Sequence, residues 1–315
     1  MKQETKQATG KEVPQERVLT TNDLVFKKVF ASPQNSHILT GFINDVLDLD
    51  VADVSVENTY NIKTFYEMEK NPEIRYTQVD VVARLADGRQ VTIEMQVVPQ
   101  RLFVRRALYY ATGMYVSNYG KHSFMDEESG FSKGERKYEA LKSVYGINIL
   151  ANNTFKDEDP VHEYEIYDVK HQANISEQTG QEEIRTIFLE VKKTSGEMKV
   201  NMKAWFDYFN TGTVTKDAPK YIQEACELAS YKSLDRQEVA MISEIQKSID
   251  ATLAREDYVW DEGKAEGKAE GKAEGKAERN AEIILRMTSK GRNKEEIAEL
   301  IGITKEEVEA VLAKK

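Results

Sequence analysis

Between Ser36 and Leu47 the apolar residues Ile38, Leu39, Phe42, Ile43, Val46 and Leu47 fall on one stripe, which predicts a helix packed against a core. A shorter helix is predicted ahead of it, beginning near Thr20–Asp23 and ended by Pro33. The pattern then changes to alternation. Residues 53–60, 75–85 and 89–98 read as strands, the last two joined by Ala86-Asp87-Gly88. A helix is predicted from about Arg101 to Asn118, with Leu108, Ala111 and Tyr115 on its core side and Tyr110 packing beside them. A polar loop, His122 to Gly134, separates it from Val144–Leu150, a continuous run that reads as a buried strand. Two further strands are predicted at about 162–170 and 184–192, and helices dominate from Met202 onward. The expected fold class is α/β, more closely an α+β mixed sheet flanked by helices, with a helical C-terminal tail.

The tail has its own periodicity. Glu-Gly-Lys-Ala repeats from Glu262 to Ala277, so Gly263, Gly267, Gly271 and Gly275 share one slowly drifting helix face. Such a segment reads either as a solvated spacer or as a close helix–helix contact in a homo-oligomer. In the last 35 residues Ala298, Gly302 and Val308 have the spacing of a helix-turn-helix. The second helix carries Glu306, Glu307 and Glu309, an acidic face poorly suited to phosphates, so a packing or partner module is the better reading. The expected organisation is a disordered leader over 1–19, a main domain over 20–260, a repeat linker or helix over 261–280 and a small helical module over 281–315.

Register carries the chemical argument. Val79, Val81, Ala83 and Leu85 alternate with Gln78, Asp80, Val82 and Arg84, and Val91, Ile93, Met95 and Val97 alternate with Thr92, Glu94, Gln96 and Val98. A two-residue turn would set Asp80 beside the apolar Met95. A three-residue loop with Gly88 in the left-handed position pairs Leu85 with Arg89, Ala83 with Val91, Val81 with Ile93 and Val79 with Met95. On the other face it sets Asp80 opposite Glu94 and Gln78 opposite Gln96, with the two acids' Cβ atoms ~5 Å apart. Carboxylates so placed repel unless they share a proton or a cation, and Mg²⁺ suits two hard oxygen donors. Gln96 projects beside Glu94 and could orient a water or a phosphate oxygen. The competing reading is a solvated face neutralised by Arg84 or Arg89.

Two other segments bear on this hairpin. Asp23 precedes Phe26 by three residues and Phe30 by seven, so it points toward the buried side of its helix. It reads either as part of a Thr20-x-x-Asp23 cap or as a third metal-site acid. Arg101, Arg105 and Tyr109 recur every four residues, with Arg106 adjacent. They read either as an ordinary surface face or as phosphate contacts.

Bulk properties narrow the classes. The chain has 315 residues and a net charge of −10, which disfavours non-specific coating of nucleic acid but leaves room for a local basic groove. The single cysteine excludes an intrachain disulfide and a cysteine-rich zinc site, and none of the four histidines has the spacing of a zinc helix. Residues 1–17 lack the apolar core of a signal peptide, and no run approaches a membrane span. The expected setting is cytoplasmic.

The run Thr21-Asn22-Asp23-Leu24-Val25-Phe26-Lys27-Lys28-Val29-Phe30 is followed in order by Val79-Asp80-Val81, Ile93-Glu94-Met95-Gln96 and Arg106-Ala107-Leu108-Tyr109-Tyr110. Gly134-Glu135-Arg136-Lys137-Tyr138-Glu139 and the charged repeat tail complete the series. Over roughly residues 20–260 the chain resembles the Rpn family of recombination-promoting nucleases, also described as PD-(D/E)XK nuclease family transposases. The resemblance implies a restriction-endonuclease-like core and hydrolysis of DNA phosphodiesters with Mg²⁺, Mn²⁺ being an alternative. Asp80 and Glu94 would match the acids of the signature. The signature's usual lysine is Gln96 here, and no proline precedes Asp80. Losing that fixed positive charge calls for compensation by a second metal or a nearby arginine. Two functions stay open: a metal-dependent DNA endonuclease linked to recombination or mobile elements, and a catalytically weak or inactive nucleic-acid-binding or assembly protein on the same fold.

Overall fold

The computed structural model describes residues 20–58, 79–119, 137–138 and 141–313. The leader over 1–19, the loop at 122–134 and residues 75–78 of the second predicted strand lie outside the described residues.

Helix α1 (Asp23–Phe30) buries Leu24, Val25, Phe26, Val29 and Phe30, so its rotation about its axis is fixed. Its cap is Asn22, whose side chain accepts from the Leu24 N–H at 3.1 Å, and not Thr20 as the capping-box spacing predicted. The Thr20 hydroxyl is drawn away to the carbonyls of Tyr208 and Phe209. Pro33 opens a 3-10 turn, and helix α2 follows over Ser36–Leu47, as the stripe predicted.

Strands β1 (Val54–Val56), β2 (Val81–Leu85) and β3 (Gln90–Gln96) form an antiparallel meander. Helix α3 (Phe103–Ser117) leads to β4 (Val144–Leu150), which pairs parallel with β3. Strand β5 (Val161–Tyr164) comes next. The predicted strand at 162–170 divides at this point: Tyr167–Asp168 (β6) pairs instead with Ala173–Asn174 (β7) in a small separate sheet. After the short helix α4 (Ile175–Thr179), β8 (Ile184–Glu190) enters parallel to β4. The main sheet among the described residues has six strands in the order β1-β2-β3-β4-β8-β5. One of its faces is covered by α1, α2, α5 (Val200–Thr211) and α6 (Lys220–Leu228). Phe26, Phe30, Phe42, Trp205, Tyr208 and Phe209 meet there in an aromatic cluster. Helix α3 packs on the other face.

The β2–β3 register is the one the hydrophobic pattern selects. Val81 faces Ile93, Val82 faces Thr92 and Ala83 faces Val91, with Gly88 at φ +91° in the loop. The ladder stops at Val81, however, and Asp80 lies in a bend just before β2 rather than inside it. Asn58 explains the bend. Its amide donates to the carbonyls of Val79 and Asp80 and accepts from the Val82 N–H, replacing ladder bonds with a side-chain clamp.

On α3 the buried stripe is Phe103, Ala107, Tyr110 and Ala111. Leu108, predicted to face the core, is 46% exposed because it stands one position off that stripe. Tyr115 is half-buried and donates its hydroxyl to Glu183 at 2.6 Å.

The chain divides into two compact units, 1–249 and 250–315, and the division falls within helix α7 (Arg236–Ser289). In the second unit α8 (Lys294–Ile301) and α9 (Lys305–Ala313) turn at Gly302, φ +70°, and bury Ile297, Ala298 and Val308 with Ile284. Among the described residues no helix is long and apolar enough to cross a membrane.

Candidate active site

Asp80, Glu94 and Gln96 meet at one end of the sheet, where β3 finishes beside the C-terminal end of β4. Continuing the β2–β3 register by one residue sets Asp80 opposite Glu94. Instead of a ladder bond, Asp80 Oδ2 accepts from the Met95 N–H at 2.9 Å, which ties this carboxylate to β3 next to Glu94. Its other oxygen, Oδ1, lies 3.2 Å from the Lys27 ammonium.

Glu94 is 3% exposed. Its Oε2 accepts from Arg106 Nη2 at 2.8 Å, and its Oε1 is buried with no hydrogen-bond partner among the described residues. Burial, reinforced by the Asp80 charge, pushes the Glu94 carboxyl up to about 8, while Arg106 and Lys27 pull the other way. An unsatisfied buried carboxylate oxygen facing a second acid is costly to leave as it is and is met by a proton or a cation.

Arg106 is itself held in place. Its guanidinium lies 5.4 Å from the centre of the Tyr110 ring and 5.8 Å from that of Phe103, and Nη1 donates to Gln100 Oε1 at 2.9 Å. Sequence spacing grouped Arg106 with Arg105 and Arg101 as a phosphate contact, but the fold turns it inward onto Glu94. Arg105 stands exposed on the outward face of α3 with Tyr109, and Arg101 is exposed in the turn that precedes the helix. Gln96 is buried on the same side of β3 as Glu94, and its amide donates back to the Val98 carbonyl.

Asp23 reaches the site through Lys27. Lys27 pairs with Asp23 one helical turn back at 3.5 Å as well as with Asp80. Burial draws the Lys27 ammonium's pKa down, but the two carboxylates outweigh it and hold it above its ordinary value. The sequence reading missed this lysine. Its signal was the four-residue spacing from Asp23, the same that made Asp23 conspicuous. Arg84 and Arg89, considered as neutralising charges for the acids, go elsewhere: Arg84 pairs with Glu57 and Arg89 with Asp87. Their strand positions carry them toward β1 and the hairpin loop, away from the sheet end.

Among the described residues no three histidine, cysteine, aspartate or glutamate side chains gather as a metal-holding group. Asp80 and Glu94 are nevertheless hard oxygen donors set side by side, and the unpartnered Glu94 Oε1 fits a divalent cation.

The family model of PD-(D/E)XK nuclease family transposases matches residues 20–265. No curated protein and no solved structure matches the chain.

Proposed function

Because the chain belongs to the PD-(D/E)XK nuclease family transposases, we propose that it is a metal-dependent endonuclease that hydrolyses DNA phosphodiesters. The observation that carries this reading is the buried Glu94 oxygen without a partner, beside Asp80. Asp80 and Glu94 would hold Mg²⁺, for which Mn²⁺ can substitute, and Asp23 would act on the site through its pairing with Lys27. Such an ion supplies an activated water and neutralises charge on the phosphate. Arg106 orients Glu94 through its Nη2 and keeps it in one rotamer. Gln96 would position a water beside Glu94. Arg105, exposed on α3, and Arg101, exposed in the turn before it, would contact flanking phosphates. Purified protein should nick or linearise supercoiled plasmid with Mg²⁺, fail with EDTA, and lose the activity in Asp80→Ala. A folded protein inert with both Mg²⁺ and Mn²⁺ would move the reading to binding or assembly without cleavage. Gln96 where the signature carries lysine, and the net charge of −10, favour that second reading.

We also infer a homo-oligomer contact through the 262–315 tail. Helix α7 continues through the repeat, and added Cβ atoms at Gly263, Gly267, Gly271 and Gly275 would meet open space. Around the helix the glycine stripe has glutamates on one side and lysines on the other. Two copies facing each other in parallel about a two-fold axis set Glu opposite Lys, whereas an antiparallel pair sets Glu opposite Glu. The charge pattern therefore favours a parallel pair.

A further inference from the structure

Strand β3 contributes one acid, Glu94, proposed to act at the metal, and an amide at position 96, but no cation. A phosphodiester under attack gathers negative charge on its non-bridging oxygens, and a site without a fixed positive charge leaves part of that charge unmatched. Arg106 is already engaged by Glu94 and sandwiched against Tyr110 and Phe103. Among the described residues, the other cation paired with these acids is Lys27, which arrives from α1 rather than from the sheet.

Its position is built, not incidental. The five apolar side chains of α1 are wholly buried, Asn22 caps the helix, and Thr20 fastens its start to α5. The next residue, Lys28, is turned the other way onto Glu238 and the Ser233 carbonyl. Lys27 is thereby set against Asp80 at 3.2 Å, with Asp23 steadying it from one turn back at 3.5 Å. Its side chain is 13% exposed, so the ammonium is largely shielded from water and its field at Asp80 is correspondingly strong.

We propose that Lys27 is the catalytic cation of this site: with Asp80 and Glu94 holding a divalent metal, its ammonium would turn to the scissile phosphate and supply the charge that Gln96 cannot. This rests on the nuclease reading above. In the step, a water oxygen bonds to phosphorus and one ester P–O bond breaks, its electron pair leaving with the sugar oxygen. The water releases a proton to solvent and the departing oxygen takes one up. Lys27 keeps its protons and donates hydrogen bonds to a non-bridging oxygen as the five-coordinate phosphorus forms. Asp23 is a positioning residue that holds Lys27 on the site side of α1.

The full chain is tested as wild type, Lys27→Met, Lys27→Met/Gln96→Lys and Lys27→Met/Asp23→Asn, by plasmid cleavage, thermal melting and Mn²⁺ titration followed by electron paramagnetic resonance. Lys27→Met should lower cleavage roughly 10²–10³-fold, the range for losing one preorganised charge donor. Mn²⁺ should bind it several-fold more tightly, because a competing ammonium is gone. Lysine at position 96 should then restore about tenfold or more of the lost rate, since it returns the charge from β3. If Lys27→Met does not melt cooperatively, the variant that also removes the Asp23 charge takes its place in the comparison. Cleavage by Lys27→Met within about threefold of wild type overturns the proposal. So does unchanged or weakened Mn²⁺ binding, a folded Lys27→Met/Gln96→Lys variant with no recovery, or loss of folding in both Lys27→Met and Lys27→Met/Asp23→Asn. A wild type that binds Mn²⁺ but never cleaves sinks the nuclease reading instead.

Discussion

Glu94 is where burial and charge pull against each other most clearly. Its folded pKa, near 8, lies above the ordinary carboxylate value of 4.5. Between those values the folded chain keeps a proton that the unfolded chain has released. The stability contributed by neutral Glu94 is therefore present at low pH and is lost as pH rises through about 8. The charged groups facing it are Asp80, Arg106 and Lys27. In EDTA, thermal melts should show this decline, and Glu94→Gln should flatten it and melt at an equal or higher temperature above pH 8. A decline just as steep in the Gln variant would locate the proton elsewhere. With Mg²⁺ the ion competes with that same proton, so affinity should climb toward pH 8 by up to about tenfold per unit. Magnesium titrations at pH 6 and pH 8 measure this, and equal affinities would count against Glu94 as a ligand. At this scale the sequence disclosed the two acids, because alternation fixes which side chains share a face. It did not disclose Lys27 or the inward turn of Arg106. Both depend on how a helix is rotated against the sheet, which neighbours distant in the chain decide.

At the level of elements, α2 and the β2–β3 hairpin were legible because each has one period and one buried face. The division of the 162–170 strand was not, since β5 is a short, largely exposed edge strand and its hydrophobic pattern is weak. Nor was the Asn58 clamp, in which a side chain just past β1 substitutes for a ladder at a sequence separation of 22. The junction of α2 and α6 was equally hidden. Gly41 lies under the ring of Tyr221, where an added Cβ would come within 2.6 Å of a ring carbon. That ring cannot easily yield, because its hydroxyl is bound to Asp45 at 2.8 Å, which also accepts from Trp205 and Asn201. Gly41→Ala should cost about 1–3 kcal/mol, read as a lowered denaturation midpoint with cleavage retained by the folded fraction. A neutral effect would mean that α2 and α6 separate more readily than this packing implies.

For the whole molecule, the boundary between compact units after Ile249 gives a direct test of where function resides. A chain ending there keeps Met241, Ile242 and Ile245 in the main core and loses the exposed Trp260, leaving Trp205 as a single buried fluorescent probe. It should fold, with blue-shifted Trp205 emission, and should still cleave plasmid, while light scattering shows it smaller in assembly state than the full chain. Loss of cleavage with the fold intact would assign the chemistry to an assembled form. Equal assembly states would remove the tail contact. The loop Ala86-Asp87-Gly88 has a consequence of a different kind. Its length decides whether Asp80 and Glu94 share a side of the sheet, because one residue more or fewer shifts the pairing by one step. A lineage could keep every residue of the site unchanged and still lose the enzyme through a three-nucleotide deletion in this turn. Substitution scans would single out Gly88, whose φ is +91°, whereas a library of insertions and deletions would find every position of the turn among the least forgiving places in the gene.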